Sequence, residues 1–268
     1  QHGPTLGTAR GHQSVRGVPV TSALWRIRRD LRLSDNLALA AAMSQAAQVL
    51  PVFILDPALL ASPYVGPKRV AFLFAGLQQL DSDLRARGSR LIVRRGSPET
   101  ELGALMSESS AQAIYAEADF SPFAQRRDHR IGQILPLVLT EGLTAHPPGV
   151  ISKADGAPYS VFAPFRRKWM SLPRQPASAL LPPPVLIPTP PEVEGISIPP
   201  ESALRPVIGY QPGEDEAQRR LLAFVDGPEP PVQFYAETRD RLDLDGTSQL
   251  SPYLRFGMLS IRQTVAAA

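Results

Sequence analysis

Ala23-Leu24-Trp25-Arg26-Ile27-Arg28-Arg29-Asp30-Leu31-Arg32-Leu33-Ser34-Asp35-Asn36 is the stretch on which the fold turns. Ala23 to Ile27 reads as a strand, the charged residues to Asn36 as a loop, and the alanine-rich segment from Leu37 to about Ala47 as a helix. Val49 to Leu55 is a nearly continuous apolar run, as expected of a strand covered on both faces, with an irregular start at Pro51. Val70, Leu73, Phe74, Leu77, Leu80 and Leu84 recur at helical spacing, and Gly88 ends that helix with Arg85 and Arg87 in its last turn. Further along, Arg90–Arg94 is predicted as a strand, Pro98–Ser107 as a helix and Ala113–Ala116 as a strand. A helix from Pro122 to Thr140 and a short strand at Leu143–His146 follow. The alternation predicts an α/β fold, a Rossmann-like parallel sheet with helices on both faces and ligand sites at the carboxyl ends of its strands. No Gly-x-Gly-x-x-Gly, phosphate-binding P-loop or Gly-x-Ser-x-Gly is present, so dinucleotide, nucleoside-triphosphate and serine-hydrolase chemistry lack their residues.

The 268 residues, 43% of them apolar, suffice for packed cores, and no run approaches the roughly 18 apolar residues of a membrane span. A soluble, cytoplasmic protein is the expectation. There is no cysteine, and His2, His12, His129 and His146 have no ligand-like pairing, so no metal is expected. Lys68, Lys153 and Lys168 are the only lysines behind a net charge of +3, which leaves arginine as the dominant cation. Arginine suits nucleic acid, although codon bias alone would also give this composition.

Residues 1–21 contain no acidic residue and no apolar core, and are expected to be a disordered extension. An α/β domain over 22–172 leads into a proline-rich linker over 173–211 that lacks any helical or alternating period. From 212 a helical region begins. Gly213-Glu214-Asp215-Glu216-Ala217 opens a helix with Leu221, Leu222, Phe224 and Val225 on its buried face, and Asp226-Gly227-Pro228 breaks it. Phe234 to Arg241 forms another short helix, on which Tyr235 and Arg239 share a face.

Gly246-Thr247-Ser248-Gln249-Leu250-Ser251-Pro252-Tyr253-Leu254-Arg255-Phe256-Gly257 then resembles a helix start whose hydroxyls and free N–H groups could grip a phosphate. Read from the residues alone, a plain cap on a core helix, a structural aromatic at Tyr235 and a surface ion pair from Arg239 to Asp240 or Asp243 remain open.

Taken together, the string from Leu24 to Asn36, the pair Tyr235 and Arg239, and the segment from Gly246 to Gly257 resemble the photolyase/cryptochrome family of flavoproteins. The first string is varied here at Arg26-Ile27-Arg28. The resemblance implies that Tyr235, Thr247, Ser248, Gln249, Leu250 and Ser251 contact FAD, Gln249 and Leu250 through their backbones, and that Arg239 contacts DNA. Glu117 to Asp128 resembles the segment that borders the family's antenna pigment. Folate-binding members place Asn-Glu where this chain has Phe123 and Ala124, so the resemblance implies a deazaflavin or another flavin rather than folate, or an empty antenna pocket. The implied activity is that of a deoxyribodipyrimidine photo-lyase, a carbon–carbon lyase in which reduced FAD passes an electron to a pyrimidine dimer in damaged DNA. A cryptochrome-type blue-light receptor without repair activity and a stand-alone α/β ligand-binding module are the alternatives. A monomer is expected. Residues 212–268 match only the start of the family's FAD-binding helical domain, so the chain taken literally is expected to hold FAD poorly and to repair nothing.

Overall fold

Strand β1 (Val20–Ile27) lies at the centre of a five-stranded parallel sheet of order β3-β2-β1-β4-β5. The computed structural model describes residues 20–63, 65–173, 176–199 and 209–268. The disorder expected for 1–21 therefore lies outside the described residues up to 19, while Val20 and Thr21 already belong to β1.

The sheet is built by β2 (Ala46–Leu55), β3 (Ile92–Arg95), β4 (Ile114–Glu117) and β5 (Leu137–Thr140). Between and before them run α1 (Leu37–Gln45), α2 (Pro57–Leu60), α3 (Pro67–Arg85), α4 (Pro98–Ser109) and α5 (Pro122–Ile134). Asn36, Ser97 and Ser121 cap α1, α4 and α5 through their side chains, so three strand-to-helix turns are set by local sequence. Period-two alternation divides β1 between two cores. Ala23, Trp25 and Ile27 pack with Phe72, Leu77 and Leu84 on one face, while Leu24 packs with Leu102, Leu105 and Ile131 on the other.

Three sequence expectations are corrected. The fifth helix stops at Ile134 rather than Thr140, because Pro136 forces Leu135 into an extended conformation (φ −131°, ψ 149°). The freed residues Leu137–Thr140 form β5, and Leu143–His146 is not a strand. Pro51 does not disturb β2, where it sits in register opposite Trp25. Strand β3 begins opposite Val52, so beside Pro51 the ladder has no third strand that would need its missing N–H.

Helix α6 (Phe162–Met170) precedes the proline-rich segment, in which Ile187 and Val193 are buried. Ile187 N–H donates to Arg87 O, Val49 N–H to Pro188 O and Ile196 N–H to Val93 O, at 2.8–2.9 Å. Prolines supply carbonyls but no N–H groups, and Arg87 and Arg90 donate to those of Pro184, Pro190 and Pro191. Residues 187–196 thus form an extended strap along the β3 edge of the sheet.

Helices α7 (Glu214–Val225), α8 (Tyr235–Thr238), α9 (Ser251–Phe256) and α10 (Ile261–Ala267) complete the chain. Leu221, Leu250, Tyr253 and Met258 are buried in the same core as Trp25 and Phe72, which fixes this helical region on one face of the sheet.

Candidate functional site

The loop after β1 divides in two: Arg28 and Arg29 line a cavity at the strand ends, while Asp30, Arg32 and Asp35 are buried and bonded within the chain. Asp30 accepts the Trp25 indole N–H at 3.3 Å and the Arg28 backbone N–H at 2.7 Å. Arg32 pairs with Glu117 at 2.6 Å, each side chain 1% exposed, and also donates to Asp35 O and Gly257 O. Asp35 accepts from Ser260 Oγ at 2.5 Å and pairs with Arg262 at 3.1 Å. The backbone closes the joint, since Leu31 N–H donates to Phe256 O at 3.1 Å. Gly257 has φ +66°, and a Cβ there would run into the Arg29 carbonyl. These charges clasp the sheet to α9 and α10.

Burial pushes the Glu117 carboxyl up to about 7 against the opposing pull of Arg32. Its Oε2 has no hydrogen-bond partner among the described residues.

Beyond the clasp, a cavity of about 350 Å³ opens at the carboxyl ends of β1 and β2 and beside the β4–α5 turn, where an α/β sheet binds ligands. Arg26, Arg28 and Arg127 converge on the single carboxylate of Asp128, at 3.2, 2.6 and 3.2 Å. One anion among three cations leaves a positive excess. Burial, then Arg28 and Arg127, push Arg26 down to about 9, and Arg127 is lowered first by burial and then by Arg28. Asp119 also lines the cavity and is held below its usual range, because bonds from Ser121 and the charge of Arg29 outweigh burial. Phe53 and Phe123 add aromatic walls. An anionic or electron-rich planar ligand matches this lining.

A second cavity, of about 370 Å³, lies on the helical region and is lined by Thr247, Ser248, Gln249, Arg219, Arg220, Phe224 and Asp245. Neither the Thr247 nor the Ser248 hydroxyl makes a hydrogen bond among the described residues. Two unpartnered hydroxyls beside two arginines suit a phosphate ester or diphosphate, the one carboxylate of the lining, Asp245, being taken up by Gln249. The hydroxyls do not cap a helix as expected: α9 starts one turn later, with Leu250 at its N-cap and Pro252 in its first turn.

Residues 23–185 match the family model described as DNA photolyase. The chain belongs to the DNA photolyase family. Relatives within this family include a Synechococcus deoxyribodipyrimidine photo-lyase, 36% identical over a 273-position alignment that covers 90% of this chain and 52% of that protein. Cryptochrome-1 of Arabidopsis thaliana is 32% identical over 90% of this chain and 37% of its own length. Among solved photolyase structures, a class III enzyme from Agrobacterium tumefaciens superposes with a TM-score of 0.81 at 28% identity, covering 95% of this chain and 54% of that one. The chain spans about half the length of both photolyases.

Against the photolyase pattern, Thr247, Ser248 and Gln249 share the second cavity. Tyr235, 43% exposed, packs edge-on to Phe224 in that cavity's wall, with ring centroids 6.2 Å apart. Leu250 is buried in the core, and Ser251 lines a neighbouring cleft with Lys68, Arg69 and Arg255. Arg239 stands exposed and pairs with Asp240 at 3.4 Å. Sequence reasoning missed Arg219 and Arg220, although Glu216 and Arg220 stand four apart on one helix face and pair at 2.7 Å. It also missed the three-arginine convergence on Asp128, of which only the Arg127-Asp128 neighbourhood is visible along the chain.

Proposed function

We propose that this chain forms the sheet-bearing part of a DNA photolyase that repairs cyclobutane pyrimidine dimers with light. Residues 22–172 form the α/β domain in this reading, 173–211 the connector, and 212–268 the start of the FAD-binding helical domain. The observation that carries it is the pair of unpartnered hydroxyls, Thr247 and Ser248, opening into one cavity with Arg219 and Arg220. That donor set fits the diphosphate of FAD, with Tyr235 and Phe224 as an aromatic flank. Bound and reduced, FAD supplies the excited-state electron that opens the dimer. The chain's own part is to neutralise phosphate charge, exclude water behind the Leu250 and Tyr253 core, and present exposed cations such as Arg239 to DNA.

The cavity at the strand ends, with its cationic excess and Phe53 and Phe123, is the place for an antenna pigment, a deazaflavin or a second flavin rather than a folate. The test is blue-light repair of a thymine-dimer oligonucleotide by protein from the complete natural reading frame, with a dark control. Light-dependent loss of dimers is expected. Bound flavin without repair would favour the cryptochrome reading, and absence of flavin would favour a plain α/β ligand-binding module.

A further inference from the structure

Gln249 is a non-glycine residue held at φ +51°, inside the segment that lines the hydroxyl cavity. Side chains rarely adopt that conformation without something to hold them there. Here the amide is gripped at both ends: its Nε2 donates to Asp245 Oδ1, and its Oε1 accepts from Arg220 Nη1 at 3.2 Å.

Arg220 is itself fixed from every side. Its Nε donates to Glu216 Oε1 at 2.7 Å and its Nη2 to Gly209 O at 2.6 Å. Its guanidinium lies 5.0 Å from the Tyr210 ring centroid and 5.6 Å from that of Tyr253. Glu216 is drawn down to about 2 by the bond from Arg219, with Arg220 adding to the pull against burial, so the anchor stays ionised throughout the neutral range. Tyr253 is buried in the main core and donates to Gln211 O at 2.8 Å, which makes the Arg220 platform rigid. A strut thus runs from the core through Arg220 to the one backbone residue of the cradle in a strained conformation.

We infer that Arg220 is a positioning residue which, by clamping Gln249 with Asp245, presets the Thr247–Gln249 segment for a diphosphate before any ligand arrives. The inference rests on the flavin reading for the identity of that diphosphate, but the clamp is made entirely by the chain's own residues. A preset cradle binds more tightly because ordering the segment is no longer charged against binding. Lysine cannot replace Arg220, since one ammonium cannot reach Glu216, Gly209 and Gln249 in the planar fork geometry.

The test has two arms. In the first, hydrogen exchange of the 245–251 amides is followed in the ligand-free chain for the unaltered protein, Arg220→Ala, Arg220→Lys and Gln249→Leu. The last leaves the Arg220–Glu216 pair intact and so covers any general unfolding of Arg220→Ala. Faster exchange confined to 245–251 is expected in all three variants, and unchanged exchange in Gln249→Leu overturns the clamp.

In the second arm, FAD and riboflavin affinities are titrated in the dark with protein from the complete reading frame. All three variants are expected to lose roughly tenfold in FAD affinity, the size of one strained residue no longer preset, with riboflavin, which lacks the diphosphate, unaffected. Full FAD affinity in Arg220→Lys would reduce Arg220 to a point charge and overturn the inference. If the unaltered protein takes no FAD, the flavin reading fails and the exchange arm alone decides the clamp.

Discussion

Two polar segments carry the resemblance on which the sequence reading turns, and they are opposites in structure. The loop from Arg28 to Asn36 has its carboxylates buried and bonded, to Trp25, to Ser260 and to Arg262. The segment from Gly246 to Ser251 leaves the Thr247 and Ser248 hydroxyls open to a cavity. Both are rich in the residue types that bind phosphate, and both lie where ligands commonly sit. What separates them is whether the partners come from within the chain. Polar groups already satisfied by protein hold two bodies together, and groups left unsatisfied at a surface are available to a ligand.

The contrast breaks most sharply at Arg32. Arg32→Ala would leave Glu117 buried with neither carboxylate oxygen paired to a cation, and removing one partner of a buried pair typically costs about 3–5 kcal/mol. Chemical denaturation should show a loss of that order, and a loss below about 1 kcal/mol would mean the loop is not a clasp. Gly257→Ala comes next. Its methyl would meet the Arg29 carbonyl, which is backbone and cannot swing aside, and the glycine sits at φ +66°. A loss of about 1–3 kcal/mol is expected from overpacking, read in the same denaturation experiment.

The sheet is legible in the sequence because short apolar strands, such as the continuous run of β2, alternate with longer segments of helical period. Strand β5 was not read, although Pro136 was in plain view, because Ile134, Leu135 and Leu137 prolong the apolar pattern of the helix before it. The clasp was illegible for a different reason. Arg32 and Glu117 are 85 residues apart, and Ser260 and Asp35 are 225 apart, so no local spacing reveals them. In the open segment Thr247 and Ser248 stand out as adjacent hydroxyls before an apolar run, while nothing in the local pattern singles out Arg219 and Arg220, whose place beside those hydroxyls is set by packing.

Acid sensitivity should have opposite signs in the two regions. Glu117 is raised from 4.5 to about 7, chiefly by burial, so the folded state binds its proton more tightly than the unfolded chain. Its contribution to stability is fully present below pH 4.5 and is lost as pH rises through about 7. Glu216, beside the open segment, is lowered from 4.5 to about 2, chiefly by the Arg219 bond. Its contribution is present above pH 4.5 and is lost as pH falls through about 2. Denaturation midpoints measured between pH 5 and 8 should therefore decline in the unaltered chain more steeply than in Glu117→Gln, which has nothing to titrate there. Parallel curves would mean that the Arg32 pair outweighs burial.

The smallest effect on folding and the largest split between folding and binding belong to Thr247 and Ser248. Thr247 is exposed and Ser248 half-buried, and neither hydroxyl has a partner among the described residues that its removal would leave unsatisfied. Thr247→Ala and Ser248→Ala should each change stability by no more than about 0.5 kcal/mol. A hydrogen bond to a charged phosphate contributes about 1.5–3 kcal/mol, so each substitution should weaken FAD binding by roughly ten- to a hundredfold in protein from the complete reading frame. Arg32→Ala, assayed alongside under conditions where it remains folded, should show the reverse order, a large loss of stability with comparatively little change in flavin affinity. If instead the hydroxyl variants unfold the chain while flavin binding follows stability alone, Thr247 and Ser248 are structural, and the distinction between a clasp and a cradle collapses.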